Sequence, residues 1–429
     1  MSEHAAASTL ALVMTEVEAH RATPANLRLR WMTVAATFIL PLLVLPYAER
    51  PFSTPKLAFL GTTVCAGAAL AACAGLLQRR ALPIPFQIAF AVWLAALGAS
   101  ASFAPVVSLP DLLLSLLAAG WCVLIMLVRP PAEHLALALV LSGATVACLA
   151  VLQFLGVDLF ALAGWMPLIP ANPRMRVFAT LGNPNFVAAF LLALAPLTYS
   201  LRSIFPVHCN LLSLALVLDV LALIATGSRA SALAALAILF WLALLRQLRN
   251  WRWLLGAVGF AAAAVLLSAP TRSLPLTLRG RIYIWSVAAP HMTEHPLLGF
   301  GPGSFVAEYP QWEKTRWTAG DLPTAARVFA GPEDRAHNDY LEFALENGIT
   351  GLTSFLTVVL TFMVFFWRRP RSPSESLLPA ATAGIAALLA VALVDFPLHR
   401  PAETFVFWTL LAIAYLHATN PGARPVPSN

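Results

Sequence analysis

The longest polar interval of this sequence, from about Pro270 to Asn347, contains a histidine suited to proton transfer. Gly331-Pro-Glu-Asp334 predicts a helix start and Gly348 its end. One face of this short helix would then carry His337, Tyr340, Leu341, Ala344 and Leu345. A helix N-terminus disfavours the imidazolium form, so His337 is predicted to stay neutral and to act as a general base. The alternative is a solvated or hydrogen-bonded loop histidine.

Two arginines are placed to bind an anion. Arg229 separates two apolar runs, and Arg281 follows Gly280 at the start of Ile282-Tyr-Ile-Trp285. A charge at the end of an apolar run is costly unless it faces a cavity or a partner. Because guanidinium groups bind phosphate through two parallel hydrogen bonds, both arginines are candidates for holding a lipid diphosphate. The alternative for each is a topology signal or a structural ion pair.

Further polar residues could support such a site. The segment from Asp158 to Gly182 leads into Gly182-Asn-Pro-Asn185 at the start of an apolar run. The candidates for supporting contacts are Arg174, Arg176, Asn183, Asn185, Asn338 and Tyr340. Asp219 lies in the middle of another apolar run, ten residues before Arg229. At the rise of a helix this spacing separates the two by about 15 Å. We expect the partner of Asp219 to come from a different helix.

The sequence predicts no metal or other cofactor. His291-Met-Thr-Glu-His295 matches the H-x-x-E-H pattern of inverted zincins, but Pro296 follows directly and no third ligand is evident. Gly299-Phe-Gly-Pro-Gly303 predicts a tight turn, since it follows no buried strand as a nucleotide-binding loop would. The five Cys residues lie within or beside apolar runs, which indicates neither a disulfide framework nor a zinc site.

The elements that position these residues are predicted to be membrane helices. Of the 429 residues 59% are hydrophobic and 11% are charged, whereas soluble domains average about 25% charged residues. This composition excludes a soluble enzyme, and the Arg residues that flank apolar runs indicate membrane orientation rather than nucleic-acid binding. Twelve runs approach the length of roughly 20 residues that a span needs. They are 31–48, 57–77, 84–103, 109–128, 134–155, 182–201, 208–226, 230–245, 252–269, 348–367, 376–396 and 401–418.

Lysine and arginine in the short connections predict the orientation of these spans. With the N-terminus inside, the inner segments hold fourteen arginines, and the short outer segments hold only Arg50, Lys56, Arg174, Arg176, Arg229 and Arg400. Both termini are therefore predicted to be cytoplasmic, including the tails 1–30 and 419–429. The first thirty residues lack the basic start and apolar core of a signal peptide.

The predicted fold is an all-α polytopic membrane protein. Helices 1–9 would occupy residues 31–269, and helices 10–12 would occupy residues 348–418. The loop 270–347 between them is predicted to be periplasmic, partly helical and catalytic, because long loops usually carry function. Its Trp285, Trp312 and Trp317 are amphipathic aromatic residues of the kind expected on a membrane surface.

Several motifs together resemble the O-antigen ligase and O-antigen polymerase superfamily of bacterial membrane glycosyltransferases. They cover about residues 150–400 and occur in this order: Gly182-Asn-Pro-Asn185, Gly227-Ser-Arg229, Gly280-Arg281 with Trp285, Glu294-His-Pro-Leu-Leu-Gly-Phe-Gly-Pro-Gly-Ser-Phe305, His337-Asn-Asp-Tyr-Leu-Glu342 and Glu346-Asn-Gly348. The resemblance implies a GT-C-like multi-pass protein of the bacterial inner membrane. It implies glycan transfer from undecaprenyl diphosphate to an acceptor hydroxyl, without a metal, at the periplasmic face. It also implies that His337 is the essential histidine and that Arg229 and Arg281 contact the diphosphate.

The chemistry of the residues fits this resemblance. Arginines can neutralise the leaving diphosphate in place of a metal, and one base suffices to remove the proton of a sugar hydroxyl. An O-antigen ligase acting on lipid A-core is the predicted function. A polymerase of O-antigen or exopolysaccharide, or a protein O-oligosaccharyltransferase, is the alternative within the superfamily. A secondary transporter is a distant alternative. Transporters with two six-helix halves would have their long connector in the middle of the chain and inside, whereas the long loop predicted here comes after the ninth helix and faces outward.

Overall fold

The computed structural model describes residues 24–76, 81–165, 176–228, 273–322, 324–368 and 377–419, together with residues 235, 236, 238 and 241. These residues form α-helices joined by short 3₁₀ turns and loops. The first eight are α1 Pro24–Ile39, α2 Thr54–Cys73, α3 Ile84–Phe103, α4 Leu109–Val128, α5 Ala132–Phe154, α6 Leu159–Leu162, α7 Pro184–Ile204 and α8 Cys209–Thr226. The remaining five are α9 Ser273–Ala288, α10 Phe305–Thr318, α11 Asp339–Trp367, α12 Leu377–Val391 and α13 Pro401–Thr419.

The architecture confirms the predicted all-α polytopic membrane protein. Among the described residues, eight helices are long and apolar enough to cross a membrane: Thr54–Cys73, Ile84–Phe103, Leu109–Val128, Ala132–Phe154, Pro184–Ile204, Pro206–Thr226, Asp339–Trp367 and Pro401–Thr419. Leu377–Val391 is a shorter apolar helix, and α1 begins at Pro24, ahead of the predicted start at residue 31. The runs predicted at 230–245 and 252–269 lie outside the described residues, apart from the four positions between 235 and 241.

Local signals fix the ends of these helices. Helix α4 has Pro110 and Asp111 in its first turn. Proline is tolerated there because the first N–H groups of a helix have no partner within the helix, and the carboxylate of Asp111 complements the helix dipole. It ends at Arg129, which adopts the left-handed conformation with φ of 54° and precedes Pro130. A left-handed residue followed by proline is a common way for a helix to stop. Helices α3 and α4 therefore occupy their predicted ranges without a shift.

Helix α13 lies at the centre of the bundle. It packs against α2, α4, α5, α7, α11 and α12, and almost all of its residues are buried. Trp121 of α4 donates a hydrogen bond from Nε1 to Thr409 Oγ1 of α13 at 2.9 Å, which satisfies a polar pair inside the apolar core. Aromatic rings surround the same helix, with Trp93 stacked on Trp408 at a centroid distance of 5.4 Å. The central helix thus joins both halves of the bundle.

The long polar interval forms a small folded unit on one end of the bundle. Helices α9 and α10 bury Tyr283, Val287, Phe305, Tyr309 and Trp312 in a core separate from that of the bundle. The tryptophans predicted to lie on a membrane surface pack in and around this core. Trp312 is 5% exposed, Trp285 Nε1 donates to Ala336 O at 2.8 Å, and Trp317 Nε1 donates to Tyr283 Oη at 3.0 Å. Trp312 therefore belongs to the interior of the unit, whereas Trp285 and Trp317 are half-buried, and their position at a membrane surface stays a prediction.

The same end of the bundle collects the segments predicted to face outward. Lys56 at the start of α2 donates from Nζ to the carbonyls of Leu43, Phe52 and Thr180, which joins the first connection to the segment that precedes α7. Ser108 N donates to Pro302 O at 2.8 Å, which joins the α3–α4 connection to the polar interval. We call this the site end of the bundle.

Candidate active site

His337 occupies a strained position at the site end. Its φ is 52°, a left-handed conformation that costs a non-glycine residue of order 1–3 kcal/mol unless the surroundings impose it. Here the preceding peptide group of Ala336 is held on both sides, since its N–H donates to Glu342 Oε2 at 2.8 Å and its carbonyl accepts from Trp285. After His337, the N–H of Asp339 donates to Ala392 O at 2.9 Å. The histidine is therefore fixed by contacts with three elements.

The predicted helix start at Gly331 is wrong. Residues 331–337 are not helical, and α11 begins at Asp339 with Asn338 as its N-cap, whose Oδ1 accepts from Leu341 N at 3.0 Å. An Asn side chain that bonds the first turn is a stronger start signal than the Pro and acids further upstream. The helix end predicted at Gly348 is confirmed, because the chain leaves helical geometry there with φ of 65°, and a second helical segment of α11 continues to Trp367. His337 consequently precedes the helix.

Asp395 is the nearest acidic partner of His337. The distance from His337 Nδ1 to Asp395 Oδ1 is 3.7 Å, and the Asp395 side chain is 2% exposed while that of His337 is 31% exposed. Burial alone would raise the pKa of Asp395, but the charges of Arg400 and His337 outweigh it and lower the pKa to about 2. Asp395 is therefore a carboxylate at neutral pH, facing one ring nitrogen of a partly exposed histidine.

Arg281 approaches the same carboxylate from α9. It is half-buried, and burial lowers its pKa while the charge of Asp395 opposes that change. Arginine remains protonated in either case. The structure thus brings together two of the predicted site residues, His337 and Arg281, around Asp395. Arg229 and Arg174 lie outside the described residues.

The predicted supporting residues mainly position the backbone. Asn183 caps α7, because its Oδ1 accepts from Asn185 N at 2.9 Å. Tyr340 donates from Oη to Leu389 O at 2.8 Å, which ties the start of α11 to α12. Asn338 caps α11, as described above. Arg176 is exposed at the beginning of the segment that leads to α7.

A buried charge network, which was not predicted from the sequence, underlies the His337 loop. Arg335 pairs with Asp111 of α4 at 2.5 Å and with Glu342 of α11 at 2.9 Å. The Nδ1 atom of His399, just before α13, lies 2.6 Å from Asp339 Oδ1. Burial lowers the pKa of His399, but Glu342, Asp339 and Glu346 outweigh burial and raise it well above the usual value. The network locks four segments together beneath the loop.

Glu342, Glu346 and His399 are close enough to share a metal ion, since one ligand atom from each lies within 4.8 Å of the others. The donor set, however, already has cationic partners. The Glu342 oxygen that lies 3.7 Å from His399 Nε2 is the one bonded by Arg335. The raised pKa of His399 favours an imidazolium, which cannot coordinate a metal. We therefore interpret these residues as a charge network.

The glycines of the polar interval permit close backbone packing. Gly299 and Gly301 have φ of 69° and 112°. Phe300 N donates to Leu345 O and Gly301 N donates to Glu346 O, so this turn is bonded directly to the backbone of α11. A Cβ at Gly301 would collide with Val106 O. The tight turn predicted for 299–303 is therefore confirmed, and its role is to seat the loop on the α3–α4 connection and on α11.

The H-x-x-E-H segment has structural contacts. His291 Nδ1 lies 2.6 Å from Glu294 Oε1 and its ring stacks on Trp312 at 4.7 Å, while His295 packs edge-on against Phe300. Among the described residues, neither histidine belongs to a group with metal-ligand spacing.

Asp219 has the expected partner from another helix. Thr198 Oγ1 of α7 lies 3.4 Å from Asp219 Oδ2 of α8. This contact joins two neighbouring helices of the bundle, and it involves none of the predicted site residues.

A family model described as O-antigen ligase matches residues 214–356. The match covers about a third of the chain and supports the resemblance of this region to the O-antigen ligase superfamily. The match includes Arg229, Arg281 and His337, and it ends before Asp395 and the start of α13. A comparison with curated proteins finds no match. The geometry therefore adds the segment 392–400 to a candidate site whose other residues lie within the matched region.

Proposed function

We propose that this protein transfers a glycan from undecaprenyl diphosphate to a sugar hydroxyl of lipid A-core at the periplasmic face of the bacterial inner membrane. The observation that carries the proposal is the pair of His337 and Asp395, beside Arg281, at one end of a membrane bundle. A partly exposed histidine with one nitrogen toward a buried carboxylate has the arrangement of a general base with its orienting acid.

Asp395 gives each nitrogen of His337 a role. Asp395 faces Nδ1, and a carboxylate can only accept a hydrogen bond, so it favours the tautomer that carries the proton on Nδ1. Nε2 is then free to accept the proton of the acceptor hydroxyl. The separation of 3.7 Å between Nδ1 and Oδ1 is longer than a hydrogen bond, as is common for catalytic pairs before the substrate binds. When His337 becomes an imidazolium, Asp395 stabilises the new charge.

Arg281 and Arg229 are proposed to hold the diphosphate. During transfer the acceptor oxygen forms a bond to the anomeric carbon, and the bond from that carbon to the phosphate oxygen breaks. The electron pair remains on the diphosphate, which leaves with an additional negative charge, and the hydroxyl proton passes to His337. Guanidinium groups stabilise that charge without a metal, so we propose a metal-independent reaction.

The experiment is transfer of a lipid-linked glycan by purified His337→Ala. We expect a loss of about 10²–10⁴ in rate with unchanged folding, because that is the usual contribution of a general base. His295→Ala is the matched control from the same unit, and it should retain activity because its contact is packing against Phe300. Activity that survives in His337→Ala but disappears with a chelator would contradict both the base and the metal-independent reaction.

The acceptor is tested separately, in a deletion strain. Bare lipid A-core on the surface-polysaccharide gel would support the ligase. Core with a single repeat would instead indicate a polymerase, and an unchanged ladder would indicate protein glycosylation or another polymer.

A further inference from the structure

A buried arginine outside the matched family region has unused hydrogen-bond donors. Arg400, directly before α13, is 6% exposed; its Nε lies 3.2 Å from Glu403 Oε1, and its Nη1 and Nη2 atoms make no hydrogen bond with any residue that the structure describes. Leaving buried donors unpaired is costly, and more so when they are charged. Such groups in a folded protein usually receive a partner that the protein alone does not supply.

The position of Arg400 is fixed by aromatic rings. Its guanidinium carbon lies 3.7 Å from the ring centroid of Phe186 and 4.9 Å from that of Phe396. The ring of Phe396 in turn contacts His337, at a centroid distance of 5.1 Å. Arg400 and the proposed base are therefore separated by a single aromatic side chain.

Phe186 belongs to the first turn of α7, a helix of 21 residues, so Arg400 lies at the positive end of its dipole. The N–H groups of Asn185 and Phe186 are already bonded to Asn183. An anion bound there would therefore receive its hydrogen bonds from the guanidinium, and the helix dipole would add a favourable potential. The helix end and the unbonded Nη groups of Arg400 are independent features that select the same kind of ligand.

The local charge also favours an anion. Glu403 Oε1 lies 3.2 Å from Arg400 Nε, and Asp395 interacts electrostatically with Arg400 and Arg281. Lys56 lies near enough to Glu403 to offset its charge. With Lys56 and Glu403 cancelling, two arginines interact with the single carboxylate of Asp395, which leaves an excess of one positive charge around that carboxylate.

We propose that Arg400 is a further phosphate-binding residue, which contacts the phosphate group released from the glycan. This inference rests on the proposed function, because it assigns the ligand as the diphosphate of the donor. As the bond to the anomeric carbon breaks, the phosphate gains a negative charge, and the two Nη groups of Arg400 donate to its oxygens. Arg400 thus complements Arg281, since both arginines interact electrostatically with Asp395.

The test measures binding of farnesyl diphosphate, a short-chain analogue, to the full-length protein in detergent. Arg400→Gln alone would leave Glu403 without its partner, so the informative variant is Arg400→Gln combined with Glu403→Gln, compared with Glu403→Gln. We expect the combined variant to bind farnesyl diphosphate about tenfold to a hundredfold more weakly, as for loss of hydrogen bonds to a charged group. Equal affinity in the two variants would overturn the proposal, as would a loss confined to inorganic phosphate.

Arg202→Gln is the matched control, because Arg202 lies over Tyr199 at the opposite end of α7, with 5.6 Å between guanidinium and ring. It should bind farnesyl diphosphate normally. Should the combined variant fail to fold, Arg400→Lys retains the charge and loses the planar fork, and it should still bind severalfold more weakly. Unchanged affinity in Arg400→Lys would then overturn the proposal.

A transfer assay separates this inference from the proposed function. Arg400→Lys should lower kcat more than it raises the KM for the donor, because the charge develops in the transition state. Binding that depends on Arg400 in a protein without transfer activity would overturn the function and support the phosphate contact. Transfer with identical kcat in Arg400→Lys would overturn the phosphate contact and leave the function standing.

Discussion

His337 and Asp395 depend on each other through a single ring nitrogen, and this dependence can be tested without changing the shape of the site. Asp395→Asn keeps the size of the side chain, but its amide can turn an N–H toward Nδ1 and favour the wrong tautomer. We expect transfer to fall by about 10²–10⁴, comparable to the loss of a general base. The measurement is kcat with the purified variant. Near-normal kcat in Asp395→Asn would show that the carboxylate does not orient His337.

The same carboxylate predicts a pH dependence of stability. Its folded-state pKa of about 2 lies below the unfolded value of about 3.9, so ionised Asp395 stabilises the fold above about pH 4. That stabilisation is lost as the pH falls from about 4 to about 2. Asp395→Asn should therefore melt below the wild type at pH 7, and the gap in melting temperature should narrow at about pH 3. A gap of constant size would indicate that burial and packing account for the difference.

Some of these residues could be predicted from the sequence, and others were missed for physical reasons. His337 and Arg281 stand in a polar interval, where their side chains are conspicuous. Asp395 and Arg400 flank the apolar ends of predicted spans, and there they look like topology charges or interruptions. An acid at the edge of a membrane run is by default a functional candidate, and this signal at Asp395 was available in the sequence. Its partner could not be predicted, because positions 337 and 395 meet only where the start of α11 is bonded to the end of α12.

At the scale of elements, the start of α11 connects the loop of His337 to the bundle. Gly348 adopts φ of 65° within this helix, and a Cβ there would collide with the backbone of Leu297. Gly348→Ala should therefore destabilise the seat of the polar interval by about 1–3 kcal/mol and reduce transfer. Limited proteolysis of the loop measures this opening. Gly331→Ala is the control, because no atom of the described residues lies within 4 Å of the position of its Cβ.

Helix ends were predictable where the signals agreed. Pro and acid at the start of α4 and the residues Arg129 and Pro130 after it point to the same boundaries, and the structure has them there. Before α11 the sequence offers two candidate helix starts, at Gly331 and at Asn338. The helix begins after Asn338, because that residue caps it and Asp339 is hydrogen-bonded to the residue that follows α12. Tertiary contacts of this kind are not visible in a local sequence pattern.

At the scale of the whole molecule, Arg335 joins α4 and α11 through two buried carboxylates. Arg335→Gln removes the cation bonded to both Asp111 and Glu342, and removing one partner of a buried pair typically costs about 3–5 kcal/mol. We expect a lower melting temperature and less folded protein in the membrane. Lys314→Gln, which changes an exposed cation of α10 that has no ion pair among the described residues, should melt like the wild type. Equal melting of both variants would contradict a stabilising role for the network.

The orientation of the molecule is a separate prediction, which rests on the excess of arginine in the inner segments. A reporter fused after Tyr309 should be periplasmic, and one fused after Arg371 should be cytoplasmic. Alkaline phosphatase and a fluorescent protein measure the two sides. The reverse result would place the His337 site away from the periplasm and remove the basis of the proposed function.

The central position of α13 has a consequence for biosynthesis. This helix is the last of the described helices to leave the ribosome, yet it fills the space between α2, α4, α5, α7, α11 and α12. The helices made earlier therefore cannot reach their final packing until α13 is inserted between them. His399 and Arg400 arrive with that helix, so the nascent chain cannot complete its site early. The candidate site is therefore complete only after α13 has packed into the bundle.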